Sequence, residues 1–336
     1  MFPCYLFPCY LFPCYLFPCP LVSLSIFYVP RITFYFFLSP FPFPLLMYNY
    51  SMPNPAPLEP VDYLVIGHLS QDLTPEGPRL GGTAAYSALT AHALGLRVGV
   101  VTAWGGEPPL GALAGTDGIT ISMIPTPHTT TFENVYTPAG RIQYIHRTAP
   151  RIDTSHVAQE WRRTPIIHIG PIAQEVSPLL AEGFSPDLLC LTPQGWLRTW
   201  DGDGRVLPCV WPEAQAALSK AAAAAISIED VGGDEGQIEA MALACRVLAV
   251  TEGPAGARLY WNGDLRRFRA PAMPEVDATG AGDIFAAAFF FRLYTTRDPW
   301  EAARFATRLA SYSVMRLGLE GIPTQQEIQT CLVEVF

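Results

Sequence analysis

From about residue 60 onward, short aliphatic and β-branched runs alternate with longer segments whose apolar positions recur at helical spacing. "DYLVIG" (62–67) is one such run, "GGTAAYSALTAHALG" (81–95) has the small and apolar spacing of a buried helix closed by Gly, and "RVGVVTAWG" returns as a strand. This β-helix-β opening predicts a parallel sheet. "PIIHIG" (165–170), "DLLCLTP" (187–193), "AAISIED" (224–230) and "RVLAVTEG" (246–253) follow at intervals that leave room for helices. Being apolar along their whole length, they predict interior parallel strands. "ARLYWNG" and "LRRFRAP" flank an Asn-Gly-Asp turn and predict a hairpin. Between 120 and 148 the pattern changes: "TISMIPT", "TTTFENVYT" and "RIQYIHR" are Thr- and aromatic-rich and alternate in polarity, which predicts antiparallel strands flanking the main sheet. A long helix, "DPWEAARFATRLASYSVMRLG", and a short one from Thr324 follow near the C-terminus. The expected fold is α/β, three layers (α/β/α) around a central, mostly parallel sheet, with a small β element at its edge. In such folds ligands sit beyond the carboxyl ends of the strands.

The first fifty residues follow other rules. "MFPCYLFPCYLFPCYLFPCP" repeats a five-residue unit, and an aromatic, Pro-interrupted segment continues it. The longest Pro-free stretches there, 21–29 and 31–39, are far short of the roughly twenty residues a spanning helix needs. No basic region precedes the apolar run, so a secretory signal is a poor match. Residues 1–51 read as a tail outside the folded domain, disordered or set there by a start placed too early, with Met52 as the expected functional start; a membrane-associating tail is the alternative.

Charge narrows the classes of partner. The chain of 336 residues carries 21 Lys and Arg against 30 Asp and Glu, a net charge of −9, and Arg31 is the one charged residue of the tail. An acidic surface argues against sequence-independent nucleic-acid binding, which needs clustered basic side chains. Cys4, Cys9, Cys14 and Cys19 belong to the repeat, whereas Cys190, Cys209, Cys245 and Cys331 lie far apart with neither metal spacing nor a disulfide framework. They read as buried thiols of a cytoplasmic protein.

The chemistry concentrates in "PEVDATGAGDIFAAAFFFRL" (274–293). Gly280, Ala281 and Gly282 allow backbone N–H groups to turn toward a ligand, and a helix starting there adds its positive end, which together make an anion hole. A carboxylate at the rim of a phosphate store would repel the phosphate. Asp283 makes sense if an alcohol lies between it and a phosphoryl group: the carboxylate takes the hydroxyl proton as the oxygen attacks, and the amides hold the charge on the transferring group. The plainer reading of an isolated GAGD is a Gly-rich turn with an acidic first helical residue beside the dipole. A Rossmann fingerprint lacks its third Gly, where Phe285 stands, and a Walker A loop lacks its Lys, since Lys220 is the only lysine of the chain.

"DATGAGDIFAAAFF" resembles the C-terminal signature of the ribokinase-like (PfkB) carbohydrate kinases. "GHLSQD" followed by the Gly-Gly segment resembles that family's first strand and helix, and "VTEGPAG" its nucleotide-binding turn, so the likeness extends through most of 60–325. The resemblance implies Asp283 as general base, with Gly280, Ala281 and Gly282 as anion hole. Thr251, Gly253 and Gly256 would line the ATP site, and Asp277 and Thr279 would shape the loop where many members bind a monovalent cation. Asp72, with Gly81 and Gly82, would hold hydroxyls of the acceptor. Two departures stand out: Tyr86 occupies a position where many members have a sugar-contacting Asn, and "SIED" offers Asp230 and Glu229 where an Asn-x-x-Glu element organises Mg²⁺. "LTPQGWLRTWD" supplies Gln194 and Arg198 and, with Tyr86, looks closest to the inositol-kinase-like branch; Arg198 reads equally as a substrate contact or a surface arginine. The 120–148 region would be a lid that excludes water. His146 reads as structural, and His68 and His168 as satisfied by their surroundings. The implied reaction is transfer of the γ-phosphoryl group of ATP, with Mg²⁺, to a sugar or cyclitol hydroxyl. A nucleoside kinase of the same fold, or a non-catalytic sugar- or nucleotide-binding regulator, is the alternative. No membrane or nucleic-acid partner is implied, and whether the lid also makes a homodimer contact is not legible in one sequence.

Overall fold

The computed structural model describes residues 58–137 and 140–333, so the expectations for the 1–51 tail lie outside the described residues. In chain order the first strands are β1 (Tyr63–Ile66), β2 (Ser70–Thr74) and β3 (Gly77–Gly81), followed by helix α1 (Thr83–Ala93) and strands β4 (Val98–Trp104), β5 (Ile119–Pro125), β6 (Thr130–Thr137) and β7 (Gly140–Arg147). Next come β8 (Ile166–Ile169), β9 (Leu188–Leu191), β10 (Arg198–Trp200), β11 (Val206–Pro208), α2 (Ala214–Leu218), β12 (Ala223–Ser227), α3 (Glu235–Ala244) and β13 (Val247–Thr251). The chain closes with β14 (Ala257–Trp261), β15 (Asp264–Phe268), α4 (Ala281–Thr296), α5 (Pro299–Ser313) and α6 (Gln325–Leu332).

Nine strands form the main sheet in the order β15-β14-β13-β12-β9-β8-β1-β4-β5. The seven from β13 to β5 run parallel, and β14 and β15 add an antiparallel hairpin. That hairpin turns at Asn262 and Gly263, both at positive φ, as a two-residue type I′ turn requires. Alternation along the interior strands sorts their side chains to two faces. Tyr63, Val65, Cys190, Ala225 and Ala249 join one core with Phe285, Phe289 and Phe305 of α4 and α5. Leu64, Ile66, Leu191, Ile226 and Val250 join the other with Trp161, Trp196 and Trp211. Helices therefore cover both faces, in three α/β/α layers. Cys190, Cys245 and Cys331 are buried and Cys209 partly so, and burial pushes all four thiols above their ordinary range.

A separate four-stranded sheet has the order β3-β2-β6-β7. Two corrections to the sequence expectation follow. β5, expected among the antiparallel flanking strands, pairs parallel to β4 as the edge of the main sheet. Its alternation comes from standing half-covered at that edge, which looks the same in sequence as an antiparallel strand with one wet face. The second correction is the β2–β3 hairpin, which joins the small sheet although "SQDLTPEGPRLG" carries almost no β-branched residues.

The small sheet is fastened to the rest by the β10–β11 ribbon. Ile145 donates its backbone N–H to the Gly204 carbonyl at 2.8 Å, and Trp200 and Val206 pack on Phe132, Ile145 and Ile172. Gly204 is at φ +82°, and a Cβ there would come within 2.4 Å of the Ile145 carbonyl oxygen, so the close approach requires glycine. Among the described residues no helix is long and apolar enough to cross a membrane.

Candidate active site

The parallel strands deliver their loops to one edge of the sheet. β1 leads to Asp72, β9 to Gln194 and Arg198, β12 to Glu229 and Asp230, and β13 to Thr251 and Gly253. These residues line a cleft of about 1830 Å³ together with Gly82, Gly256, Asp277, Thr279, Gly280, Ala281, Gly282 and Asp283. Four strand spacings separate β1 from β13, about 19 Å. Helix α4 packs against β8, β9 and β12, and so brings its N-terminus to the middle of that span.

Gly280, at φ +79°, turns the chain into α4. A Cβ on it would lie 2.2 Å from the Tyr86 ring, which is 2% exposed and forms the floor beneath the loop. Tyr86 therefore supports the Gly-rich turn from α1, a role the sequence did not reveal. Burial, with Asp72 and Asp283 nearby, pushes its phenol well above the ordinary range, so it stays neutral. Gly282 differs from Gly280: an added Cβ would meet no atom within 4 Å, so the open side faces the cleft.

Within the expected amide cup of Gly280, Ala281 and Gly282, one N–H is already used. The Ala281 N–H donates to the Ala278 carbonyl at 3.2 Å and is not free for a ligand. Among the described residues the N–H groups of Gly282 and Asp283 have no backbone partner, as the opening turn of a helix dictates. Both oxygens of Asp277 accept backbone N–H groups, from Thr279 at 2.9 Å and Gly318 at 2.8 Å. Burial opposes its ionisation, but these hydrogen bonds outweigh burial and hold its carboxyl below the usual range. Asp277 is thus a brace between the loop and the segment after α5. Asp277→Ala is expected to cost about 1–3 kcal/mol in a urea unfolding titration, because two partly buried amides lose their acceptor.

Asp283 is partly exposed, toward the cleft, and accepts a hydrogen bond on Oδ1 from the Thr83 hydroxyl at 2.6 Å. Burial pushes its carboxyl up to about 6; the Thr83 bond and Arg198 pull down, while Asp230 and Asp72 push further up. Asp72 Oδ1 accepts from the Ser70 hydroxyl at 2.8 Å. Gly81 does not line the cleft: it lies beneath Asp72, where a Cβ would be 2.2 Å from Asp72 Oδ2. Its smallness makes room for the carboxylate.

Arg198 is no surface arginine, since its side chain is 12% exposed and stands 4.0 Å from Asp230 Oδ1. Asp230 also accepts from Gln194 at 3.1 Å and, through Oδ2, from the Ser227 N–H at 2.8 Å. Its oxygens are thus committed to a capping box and to Gln194 and Arg198. Among the described residues no group of three or more His, Cys, Asp or Glu is placed to hold an ion.

The three histidines singled out in the sequence are internally satisfied. His68 pairs with Thr130 at 2.7 Å and the Pro150 carbonyl at 2.9 Å, and His146 with Glu133 at 2.8 Å. His168 lies between the Tyr63 hydroxyl at 2.8 Å and Thr192 at 2.7 Å, where burial lowers its pKa to about 3. Glu175, 1% exposed, accepts from the N–H groups of His68, Ile172 and Ala173, fixing the crossover under the cleft. Nothing in "IAQEVS" distinguishes that buried acid from a surface one.

Residues 212–325 match the profile of the pfkB family carbohydrate kinases, and that stretch contains the whole Gly-Ala-Gly-Asp loop. Over that stretch the chain is similar to the PfkB carbohydrate kinases. A ribokinase of Bacillus subtilis is 41% identical over 97 residues, covering 28% of this chain and 32% of that enzyme, about a third of its length. A cytidine kinase of Thermococcus kodakarensis is 28% identical over 279 residues, covering 77% of this chain and 98% of its own. In fold, this chain is similar to a pyrophosphate-dependent kinase of the ribokinase family, solved with a pyrophosphate analogue and myo-inositol. The TM-score is 0.65 at 20% identity, covering 80% of this chain and all of that one.

Proposed function

We propose that this chain is a PfkB-type kinase that transfers the γ-phosphoryl group of ATP to a hydroxyl of a sugar or cyclitol held beside Asp72, with Asp283 as general base. The observation that carries the reading is the position of Asp283. A carboxylate raised to about 6 faces the cleft beside the free amides of α4, midway between a polar pocket at β1 and a glycine-lined turn at β13. A carboxylate of that basicity is ionised at neutral pH and still accepts the proton of an attacking alcohol. The amides of Gly282 and Asp283 and the dipole of α4 hold the charge on the transferring group. Arg198 and Gln194, locked together through Asp230, present donors to the acceptor. Thr251, Gly253 and Gly256 let the donor pass close to the backbone. A divalent ion would arrive with the donor phosphates and neutralise their charge, held through water by Glu229 and Asp230. The four-stranded sheet would serve as the lid that excludes water.

A nucleoside acceptor is the second reading, supported by the near full-length alignment with a cytidine kinase. The test is a panel of myo-inositol, ribose, fructose and cytidine, each with Mg-ATP or pyrophosphate as donor, scored for phosphorylated product by mass spectrometry. Product from a sugar or cyclitol with Mg-ATP is expected. No product from any pair, with retained binding of one acceptor by calorimetry, would leave a binding protein in place of a kinase.

A further inference from the structure

The opening turn of α1 contacts the candidate transfer site twice, through Thr83 and Tyr86, three residues apart on one helical face. Tyr86 lies under Gly280, and Thr83 reaches Asp283 itself. Thr83 is 1% exposed, and its methyl side lies against Gly170, where an added Cβ would come within 2.5 Å of Thr83 Cγ2. Its rotamer is therefore fixed by packing, and the hydroxyl points at Asp283 Oδ1 at 2.6 Å, the length of a charge-assisted O–H···O⁻ bond. Oδ2 has no partner among the described residues and stays available to the cleft.

We propose that Thr83 is a positioning residue for the transfer reaction: its hydroxyl pins one oxygen of Asp283, holds the carboxylate ionised and turns the other oxygen toward the acceptor hydroxyl. The inference rests on the reading of Asp283 as general base. A carboxylate rotates about its last bond with little preference, so an unpinned Asp283 would present its basic lone pair in the productive direction for only part of the time. Asp283 faces Asp230 and Arg198 from the acceptor-side loops and Asp72 from β2, with Tyr63 and Tyr86 also close. Thr83 is the hydroxyl that bonds it directly, and it acts against the effect of burial.

The sign is fixed. Removing the donor raises the pKa of Asp283, so the acid limb of kcat/KM moves to higher pH. Thr83→Val, nearly the same shape, is expected to lower kcat roughly 10- to 100-fold and to shift that limb up by about one pH unit, with KM for both substrates within about threefold. Thr83→Ser restores the donor and should recover kcat to within about threefold. Turnover is followed with Mg-ATP or pyrophosphate as donor and myo-inositol, ribose or cytidine as acceptor. A substrate-independent arm uses urea unfolding between pH 5 and 8. There Thr83→Val should move the pH dependence of stability upward in the wild-type background and not in Asp283→Asn.

If Asp283→Asn is inactive while Thr83→Val keeps the wild-type rate and pH limb, the positioning role fails and the base survives. If Asp283→Asn retains full turnover, the base reading falls and the positioning role falls with it. Loss of rate in Thr83→Val that Thr83→Ser does not recover, or an unfolding shift that persists without Asp283, would mean a packing role only. If no donor–acceptor pair turns over and Thr83→Val leaves the pH dependence of unfolding in place, the proposal is overturned.

Discussion

Asp283→Asn is expected to lower kcat by roughly 10²- to 10⁴-fold while leaving donor binding within a few-fold and making the protein more stable at pH 8. The first effect follows from losing the proton acceptor while keeping size and the ability to accept from Thr83. The second follows from linkage. The folded state holds the Asp283 proton more tightly than the unfolded chain, pKa about 6 against 3.8. Its stabilising contribution is therefore present below pH 3.8 and lost as pH rises through about 6. At pH 8 the ionised group is a net cost of about 1–2 kcal/mol, after allowing for its exposure to the cleft. Asn removes that cost, so Tm should rise by a few degrees at pH 8 and by about half as much at pH 5. Calorimetric scans at the two pH values, beside a turnover assay, check both halves. A variant that loses activity and stability together at pH 8 would mark Asp283 as a structural carboxylate.

The second large effect separates two glycines two residues apart. Gly282→Ala places a methyl group in open space on the cleft side of the first turn of α4, in a helical conformation. Stability should hold or rise by about 0.5–1 kcal/mol, since Gly is a poor helix residue. The rate should still fall roughly 10²- to 10³-fold, because the methyl group keeps a phosphoryl oxygen from the Gly282 and Asp283 amides. Gly280→Ala does the opposite. Its φ of +79° and the Tyr86 ring 2.2 Å from the new atom predict a loss of about 1–3 kcal/mol in denaturant unfolding. Activity retained by Gly282→Ala would show that the helix start does not grip the transferring group.

The interior of the fold was legible in the sequence because buried parallel strands are apolar on both faces. "PIIHIG" and "RVLAVTEG" admit few other readings, and Asn262-Gly263 marks a hairpin by the φ values it tolerates. The edges were harder. β5 alternates because the sheet ends there, and the polar β2–β3 hairpin is held by its partner strands more than by its own propensity. Within the site, residue types were readable and their contacts were not. The Gly-Ala-Gly pattern locates a helix start, but which amides stay free depends on the Ala278 carbonyl, which no spacing encodes. Gly81 resembled a substrate contact because it adjoins Gly82, whereas its neighbour in space is Asp72. Thr83 was in plain view within the Gly-Gly segment, yet its partner lies 200 residues away. Only the meeting of α1 with α4 brings the two side chains together.

The ribbon that begins at Arg198 has a mechanical consequence. Its far turn is stitched to Ile145, while its first residue stands beside Asp230 at the base of the cleft. A tilt of the four-stranded sheet would therefore pull on the ribbon whose first strand carries the guanidinium. If that sheet is the proposed lid, its swing would reach the jaw beneath it, and enclosure of a small molecule and the grip upon it would be a single movement.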